Sequence, residues 1–462
     1  MKRALTLKTL WVLCALPLFF GCSESSEEKV PWVPLFDGQT LNGWQQQGGA
    51  ANYTVRDNTI VGSSVHDTPN SFLTTDAQYG DFILELQLKV DTTSNSGIQI
   101  RSHSYPYYRN GVVHGYQVEI DPSKRAWSGG IYDEQGRGWL YPLTDDPKAQ
   151  QAFKPTDWNH YRIEAIGDTL KTWVNDIPVA HLIDEKVAAG FIGLQVHSIA
   201  ADAREGGEIL WKNIRILTDS VAAYSKKSPL KPVITKNNLT IDEAKNGWKL
   251  LWDGTTTNGW RGANLDSFPE KGWKIENGEL TVLSSGGNEA GAGGDIVTRE
   301  LFGDFELSVD FKLTPGANSG IKYYVDTELN KGAGSAIGLE YQILDDALHP
   351  DAKLGNHEGS RTVSSLYDLI KADDGKPIHP IGEWNTAYII SKEGHVEHWL
   401  NGMKVLEYER GNDDYLKLVS ESKYAIWPNF GQLEKGHILL QEHGDQVSFK
   451  NIKIRPLPDA KQ

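Results

Sequence analysis

Cysteine is nearly missing from this chain, with 2 residues in 462. Cys14 lies in an N-terminal stretch expected to be removed, which leaves Cys22 alone. A lone cysteine excludes an intrachain disulfide, a cysteine–zinc site and a thiol enzyme. Positive charge is scarce too. The chain carries 46 Lys and Arg against 61 Asp and Glu, a net charge of −15, and no stripe of cations interleaves with aromatics. Nucleic acid is therefore excluded as a partner, because phosphate neutralisation needs clustered cations. No extended helical period competes with the short alternating runs described below. Aromatics, by contrast, are plentiful, with 15 Trp and 18 Tyr. They supply cores, and flat rings also stack on pyranose faces.

The first residues hold Lys2, Arg3 and Lys8, then an apolar run from Leu10 to Phe20. That pattern is a secretory signal, too short to span a membrane. It ends at Gly21-Cys22, which resembles a bacterial lipobox, with Phe19 where leucine is usual. The expectation is a signal over residues 1–21, a lipid on Cys22 and a tether over 22–30. The chain would then sit in the bacterial cell envelope, periplasmic or surface-exposed, touching the membrane through its anchor only.

The remainder is written twice. Asn95-Ser96-Gly97-Ile98 returns as Asn318-Ser319-Gly320-Ile321, and Gly80-Asp81-Phe82 returns at the same spacing as Gly303-Asp304-Phe305. Asn42-Gly43-Trp44 pairs with Asn258-Gly259-Trp260, and Trp173-Val174-Asn175 with Trp399-Leu400-Asn401. Gln195-x-His197 pairs with Gln441-x-His443, and Lys212-Asn213-Ile214 with Lys450-Asn451-Ile452. The order is unchanged throughout. Two homologous domains follow, over 31–219 and 246–457, joined by a linker over 220–245. Each reads as β. In DFILELQLKV, Phe82, Leu84, Leu86, Leu88 and Val90 share one face, and the twin DFELSVDFKL repeats this through Phe305, Leu307, Val309, Phe311 and Leu313. Two tandem all-β jelly-roll sandwiches are expected.

Some strands carry unusual outer faces. Alternation along GIKYYV sets Lys322 and Tyr324 opposite Ile321, Tyr323 and Val325. Along GLEYQILDD it sets Glu340 and Gln342 outward, about 7 Å apart. In HILLQEHG, Gln441 and His443 share a face, and the alternation leaves open which face is inside. The first copy offers Gln99 and Arg101, then Gln117, Glu119 and Asp121, then Gln195 and His197. Amides and charges along adjacent strands suit sugar hydroxyls. Asp345, Asp346, His349 and Asp351 form an oxygen-rich loop able to hold a divalent cation.

The segments NSGI, GLEYQILDD, HPDAK, RTVSSLYDLI, EWN, WLNG and LLQEHG resemble the 3-keto-disaccharide hydrolase domain family. The second copy resembles it nearly end to end; the first does so at its ends and lacks HPDAK. The resemblance implies a concanavalin-like jelly roll, similar to laminarinase-type glycosidases, and cleavage of glycosides already oxidised to a ketone at C3. Such a site needs a base, a cation or donor for the enolate oxygen, and an acid for the leaving group. His443 or Glu340 would be the base, and Arg361 or Lys322 would hold the enolate. Tyr367 and Asp368 would position the sugar, with Gln441, Gln342 and Tyr324 contacting it. A conventional retaining glycosidase would need a second carboxylate four or five positions after Glu119, where Ser123 and Lys124 stand. A pair of non-catalytic carbohydrate-binding modules is the competing reading, and it would not need His443.

The lipobox reading has a direct test. Cys22→Ser is expected to move the protein from the membrane to the soluble fraction, or to leave the leader uncut. Unchanged fractionation and processing would contradict it.

Overall fold

The structure is a computed structural model and describes residues 30–91, 94–330, 334–427 and 429–458. Cys22 and the leader lie outside those residues. Two jelly-roll sandwiches follow one another, each with its own hydrophobic core. In the first, a nine-stranded back sheet packs against a seven-stranded front sheet; in the second, the sheets have eight and five strands. The alternating segments become the central back strands Phe82–Val90 and Phe305–Leu313. All ten of their apolar residues named above are buried. Each such side chain removed from water is worth about 1.5–3 kcal/mol.

The front sheet of the second sandwich runs in the order Trp260–Gly262, Ile296–Thr298, His437–Leu440, Asn318–Asp326, Ile337–Leu344. Ile321, Tyr323, Leu339, Tyr341, Ile343, Ile438 and Leu440 point into the core. Leu439 belongs to a small cluster on the other face, with Ala263, Val297, Val325 and Ala336. This settles the inside of HILLQEHG: Ile438 and Leu440 face the core, and Leu439 the outer side.

Simple alternation fails at Tyr324 in the second copy and at Arg101 in the first. Tyr324 has φ +50° and Arg101 has φ +46°. Both interrupt the pairing register of their strands. A left-handed residue adds a position to the strand and reverses the faces beyond it. Tyr324 is thereby turned inward, 2% exposed, with its hydroxyl on Gly303 O and Ser391 Oγ. Arg101, 1% exposed, donates to Gly80 O and Gly167 O and pairs with Asp81. Neither reaches the outer face, so the assignment of both to substrate binding is corrected. The two copies share this bulge although one fills it with tyrosine and the other with arginine.

The copies differ in their loops. Trp173 and Gln195 are 22 positions apart, whereas Trp399 and Gln441 are 42 apart. The extra residues form the segment after Met403–Glu409, with a helix at Asp413–Ser420 capped by Asn412. In the first copy the hairpin Ile131–Glu134 and Gly138–Tyr141 extends the front sheet. In the second copy the corresponding segment is irregular, and Leu366 makes a lone bridge to Tyr341.

The segment between the sandwiches is packed down. Val233–Ile234 pairs in parallel with Leu182 and Ile183 of the first back sheet. Asn237 and Asn451 exchange backbone-to-side-chain hydrogen bonds of 2.7 and 2.8 Å. Lys453 reaches Glu243 at 2.9 Å, and Lys450 reaches Glu185 of the first copy at 2.7 Å. The outer side of the second back sheet is therefore held against the connecting segment and the first copy.

Under that front sheet, His398 is wholly buried, with Nε2 on Tyr323 Oη at 2.7 Å and Nδ1 on Ser364 O at 2.9 Å. Burial pushes its pKa down to about 4. Its neutral form is favoured by folding, so its contribution is complete above the unfolded value near 6.5. That contribution is lost as pH falls toward 4. An NMR titration, with His398→Gln assigning the signal, is expected to give a midpoint near 4 for this ring. A midpoint near 6.5 would contradict its burial.

Candidate functional site

The repeated Asn-Ser-Gly-Ile has a physical reason at each position. Ser319 donates to Gln441 O at 2.8 Å, and Ser96 donates to Gln195 O at 2.6 Å, tying this strand to its neighbour. Ile321 and Ile98 fill the cores. Gly320 leaves space for the Glu340 carboxyl, since a Cβ there would lie 2.3 Å from Glu340 Oε1. Gly97 does the same for Gln117, at 2.3 Å from its Cδ. Asn318 contacts His443 Nε2 at 3.3 Å and accepts from Gln342 Nε2 at 3.3 Å.

A buried charged string crosses the outer face of the second copy. Lys322 lies opposite Glu340 in the register, with Nζ 3.5 Å from Glu340 Oε2. Lys322 also donates to Ser335 Oγ at 2.5 Å and Ala336 O at 3.2 Å. Ser335 in turn donates to Asp295. All four side chains are buried. Burial pushes Glu340 above the usual carboxylate range, against the opposing charge of Lys322. Burial opposes charge on Lys322, but Glu340 and Asp295 hold its pKa above normal. The result is a dry carboxylate and a dry ammonium side by side, the arrangement that tunes a general base.

Three buried polar atoms near this string have no partner among the described residues: Gln342 Oε1, Gln441 Oε1 and His443 Nδ1. Buried polar groups are rarely left unmatched, and Asn318 links two of these side chains, Gln342 and His443. The Gly-rich loop before Asp295 closes one end. Glu442 Oε2 accepts from the N–H groups of Ala292, Gly293 and Gly294 at 3.1, 3.3 and 3.2 Å. Its own N–H donates to Asp295 Oδ1 at 2.9 Å.

Arg361, Tyr367 and Asp368 stand on the irregular segment at the other edge. Arg361 bonds Asp351 at 2.7 Å and Asp368 at 2.8 Å, and the Tyr367 hydroxyl donates to Asp351 at 2.9 Å. Tyr367 N–H donates to Glu340 O at 3.0 Å. Lys423, from the segment unique to this copy, places Nζ 4.3 Å from the Tyr367 ring centre. Sequence reading missed Asp295, Ser335 and Lys423. Asp295 and Ser335 sit on loops and Lys423 opens a short 3-10 helix, all outside any alternating strand.

The proposed cation loop does not assemble. Asp345 accepts from the N–H groups of Gly316, Ala347 and Leu348, and Asp346 pairs with Lys376 at 3.0 Å. Asp351 is committed to Arg361 and Tyr367, and His349 Nδ1 accepts from Asp351 N–H. Among the described residues, the ligand-type group that converges is His395, Glu397 and Glu407 on the back sheet. Lys404 already bridges its two carboxylates.

The first copy brings the matching residues together differently. Gln99 Nε2 donates to Gln117 Oε1 at 2.7 Å, and Gln117 Nε2 to Glu119 Oε2 at 3.0 Å. Asn95 and Arg125 also bind Glu119, each at 3.0 Å, and Arg125 holds Asp121 at 2.7 Å. Phe72 and Val113 occupy an outer cluster there. The row is closed upon itself, with no ammonium. Gln195 is fully buried with both amide atoms unpartnered, and His197 Nδ1 lies 2.7 Å from Ser198 O.

A family model described as the 3-keto-alpha-glucoside-1,2-lyase-like domain matches residues 31–217 and 247–455. The chain is 37% identical over 259 residues to a 3-keto-disaccharide hydrolase of Bacteroides thetaiotaomicron, covering 52% of this chain and 88% of that protein. A solved structure from Parabacteroides distasonis is 31% identical, with a TM-score of 0.42 over 48% of this chain and 100% of that one. A second from the same organism is 30% identical, with a TM-score of 0.33, over 43% and 100%. Two matched segments spanning most of the sequence place this chain in the 3-keto-alpha-glucoside-1,2-lyase-like domain family, with the domain present twice.

Proposed function

We propose that the second copy cleaves 3-keto-glycosides by β-elimination followed by hydration, and that the protein works as a lipid-anchored enzyme of the cell envelope. The observation carrying this reading is the buried Lys322–Glu340 pair beside three unpartnered polar atoms. A ketone at C3 acidifies the C2 hydrogen. Glu340, dry and with a raised pKa, takes that proton, and the electron pair forms an enolate between C2 and C3. Lys322 and Lys423 supply positive charge near the enolate oxygen; both are close enough to act on Glu340. The enolate collapses, the C1–O bond breaks, and the aglycone leaves with a proton.

His443 suits the donor role. Its Nε2 faces the Asn318 amide, and its Nδ1, buried and without a partner among the described residues, is assigned to the leaving oxygen or a sugar hydroxyl. Water then adds at C1 of the enone and a proton returns to C2, so one water is consumed overall. Arg361 orients Asp351, and through it the Tyr367 hydroxyl. The names carried by the family and by the Bacteroides thetaiotaomicron relative support this substrate class. The first copy, with amides where the second has Lys322 and Glu340, lacks the base–cation pair and is assigned to binding.

The purified protein is expected to release aglycone from 3-ketoglucosides and not from the parent glucosides. Equal rates on both would overturn the elimination route. A general base contributes about 10²–10⁴-fold, so Glu340→Gln is expected to lower kcat/KM at least about a hundredfold, with Tm measured alongside. Glu119→Gln in the first copy is expected to cost far less. The reverse ranking would move the active site to the first copy.

A further inference from the structure

A hollow on the outer side of the first sandwich is not used by the reading above. It is lined by Gln45, Gln47, Asp76, His103, Tyr105 and Phe191, at the end of the front sheet where Trp44–Gly48 pairs with Ser71–Thr75. Gln45 and Gln47 project on one side of their strand, two positions apart. Among the described residues, the side chains of Gln45 and Asp76 have no hydrogen bond or ion pair within the protein, and both are exposed.

The wall of this hollow is aromatic and rigid. His103 and Tyr105 stack at 4.7 Å, and Tyr105 and Tyr107 at 5.2 Å, with interplanar angles of 16° and 10°. Behind them Tyr108 stacks on His114 at 3.9 Å. The second copy braces the group, because a Cβ at Gly402 would lie 2.3 Å from the Tyr108 ring. Burial and the neighbouring His114 push His103 down to about 4, so it is uncharged at neutral pH. The lining therefore holds one carboxylate and no cation.

The equivalent strand positions of the second copy carry different side chains. Arg261 replaces Gln45 after the shared Asn-Gly-Trp, and His437 replaces Phe191 after the shared glycine. The two side chains approach to 3.4 Å, and Arg261 also binds Gly262 O and Ala263 O.

We infer that this hollow is a non-catalytic subsite for an uncharged pyranose of a glycan chain, packed against the His103–Tyr105 wall and hydrogen-bonded by Gln45, Gln47 and Asp76. His103 and Tyr107 cover the faces of Tyr105, so the sugar meets the edge of a stack that is already ordered, and amides with a carboxylate match vicinal hydroxyls. The lone carboxylate and the lack of cations disfavour uronates and other anionic sugars. The inference rests on the reading of this protein as carbohydrate-active and extends it. It gives the first copy a part that its closed amide row does not perform: holding unoxidised glycan beside the second copy.

The test is titration calorimetry of the full chain with unoxidised neutral tetrasaccharides (cello-, malto- and laminari-), with trigalacturonate as the anionic probe. At least one neutral probe is expected to bind and trigalacturonate is not. Tyr105→Ala and Gln45→Ala, both at exposed positions, are each expected to weaken binding about tenfold. Binding at wild-type affinity in both variants would overturn the inference. So would the absence of binding to all three neutral probes, or preference for trigalacturonate. Because the readout is binding of an unoxidised sugar, a negative result leaves the elimination reading intact. Failure to turn over 3-ketoglucosides likewise leaves this one intact.

Discussion

The outer face of the second sandwich depends on one close approach. Glu340 lies against Gly320 so tightly that even a methyl group would displace it, with Lys322 across the strand pair at 3.5 Å. Leaving a carboxylate dry is costly unless a cation compensates, and removing one member of a buried pair leaves the other uncompensated. The surrounding parts serve this pair. Ser335 and Asp295 hold the ammonium, and Glu442 anchors the glycine-rich loop that ends at Asp295. The irregular segment after Ile337–Leu344 binds the Glu340 backbone through Tyr367. A bundle of loops thus converges on a single ion pair seated on a rigid sheet.

Duplication makes the cost of that pair visible. The first copy has the same sandwich, the same bulge and the same Asn-Ser-Gly-Ile, yet Gln99 and Gln117 stand where Lys322 and Glu340 do. Gln99 donates to Gln117 across the strands and Gln117 to Glu119, whose charge Arg125 balances. Phe72 then replaces Asp295 and Val112 replaces Ser335, because no ammonium requires holding. The connecting segment and the Lys450–Glu185 and Lys453–Glu243 pairs keep the copies together.

Much of this is legible in the order of residues. The all-β jelly roll follows from strict alternation at Phe82–Val90 and Phe305–Leu313, and the outward placement of Lys322, Glu340 and Gln342 from the same rule. Tyr324 and Arg101 escape it because a non-glycine residue in the left-handed region leaves no mark in a hydrophobic pattern. Asp295, Ser335 and Lys423 escape because residues outside the alternating strands carry no strand period, and contacts between distant segments exist only in three dimensions. The acidic loop misleads for a related reason. Asp345, Asp346 and Asp351 look alike in sequence, but backbone N–H groups, Lys376 and Arg361 claim them separately.

The central claim is that bond cleavage proceeds through loss of the C2 hydrogen. Running the reaction in D2O and reading the product by NMR addresses it directly. Elimination and hydration place deuterium at C2 of the released 3-ketosugar, in excess of 3-ketosugar incubated alone for the same time. Product that keeps its original C2 hydrogen, formed at full rate, would contradict the account and leave direct displacement at C1.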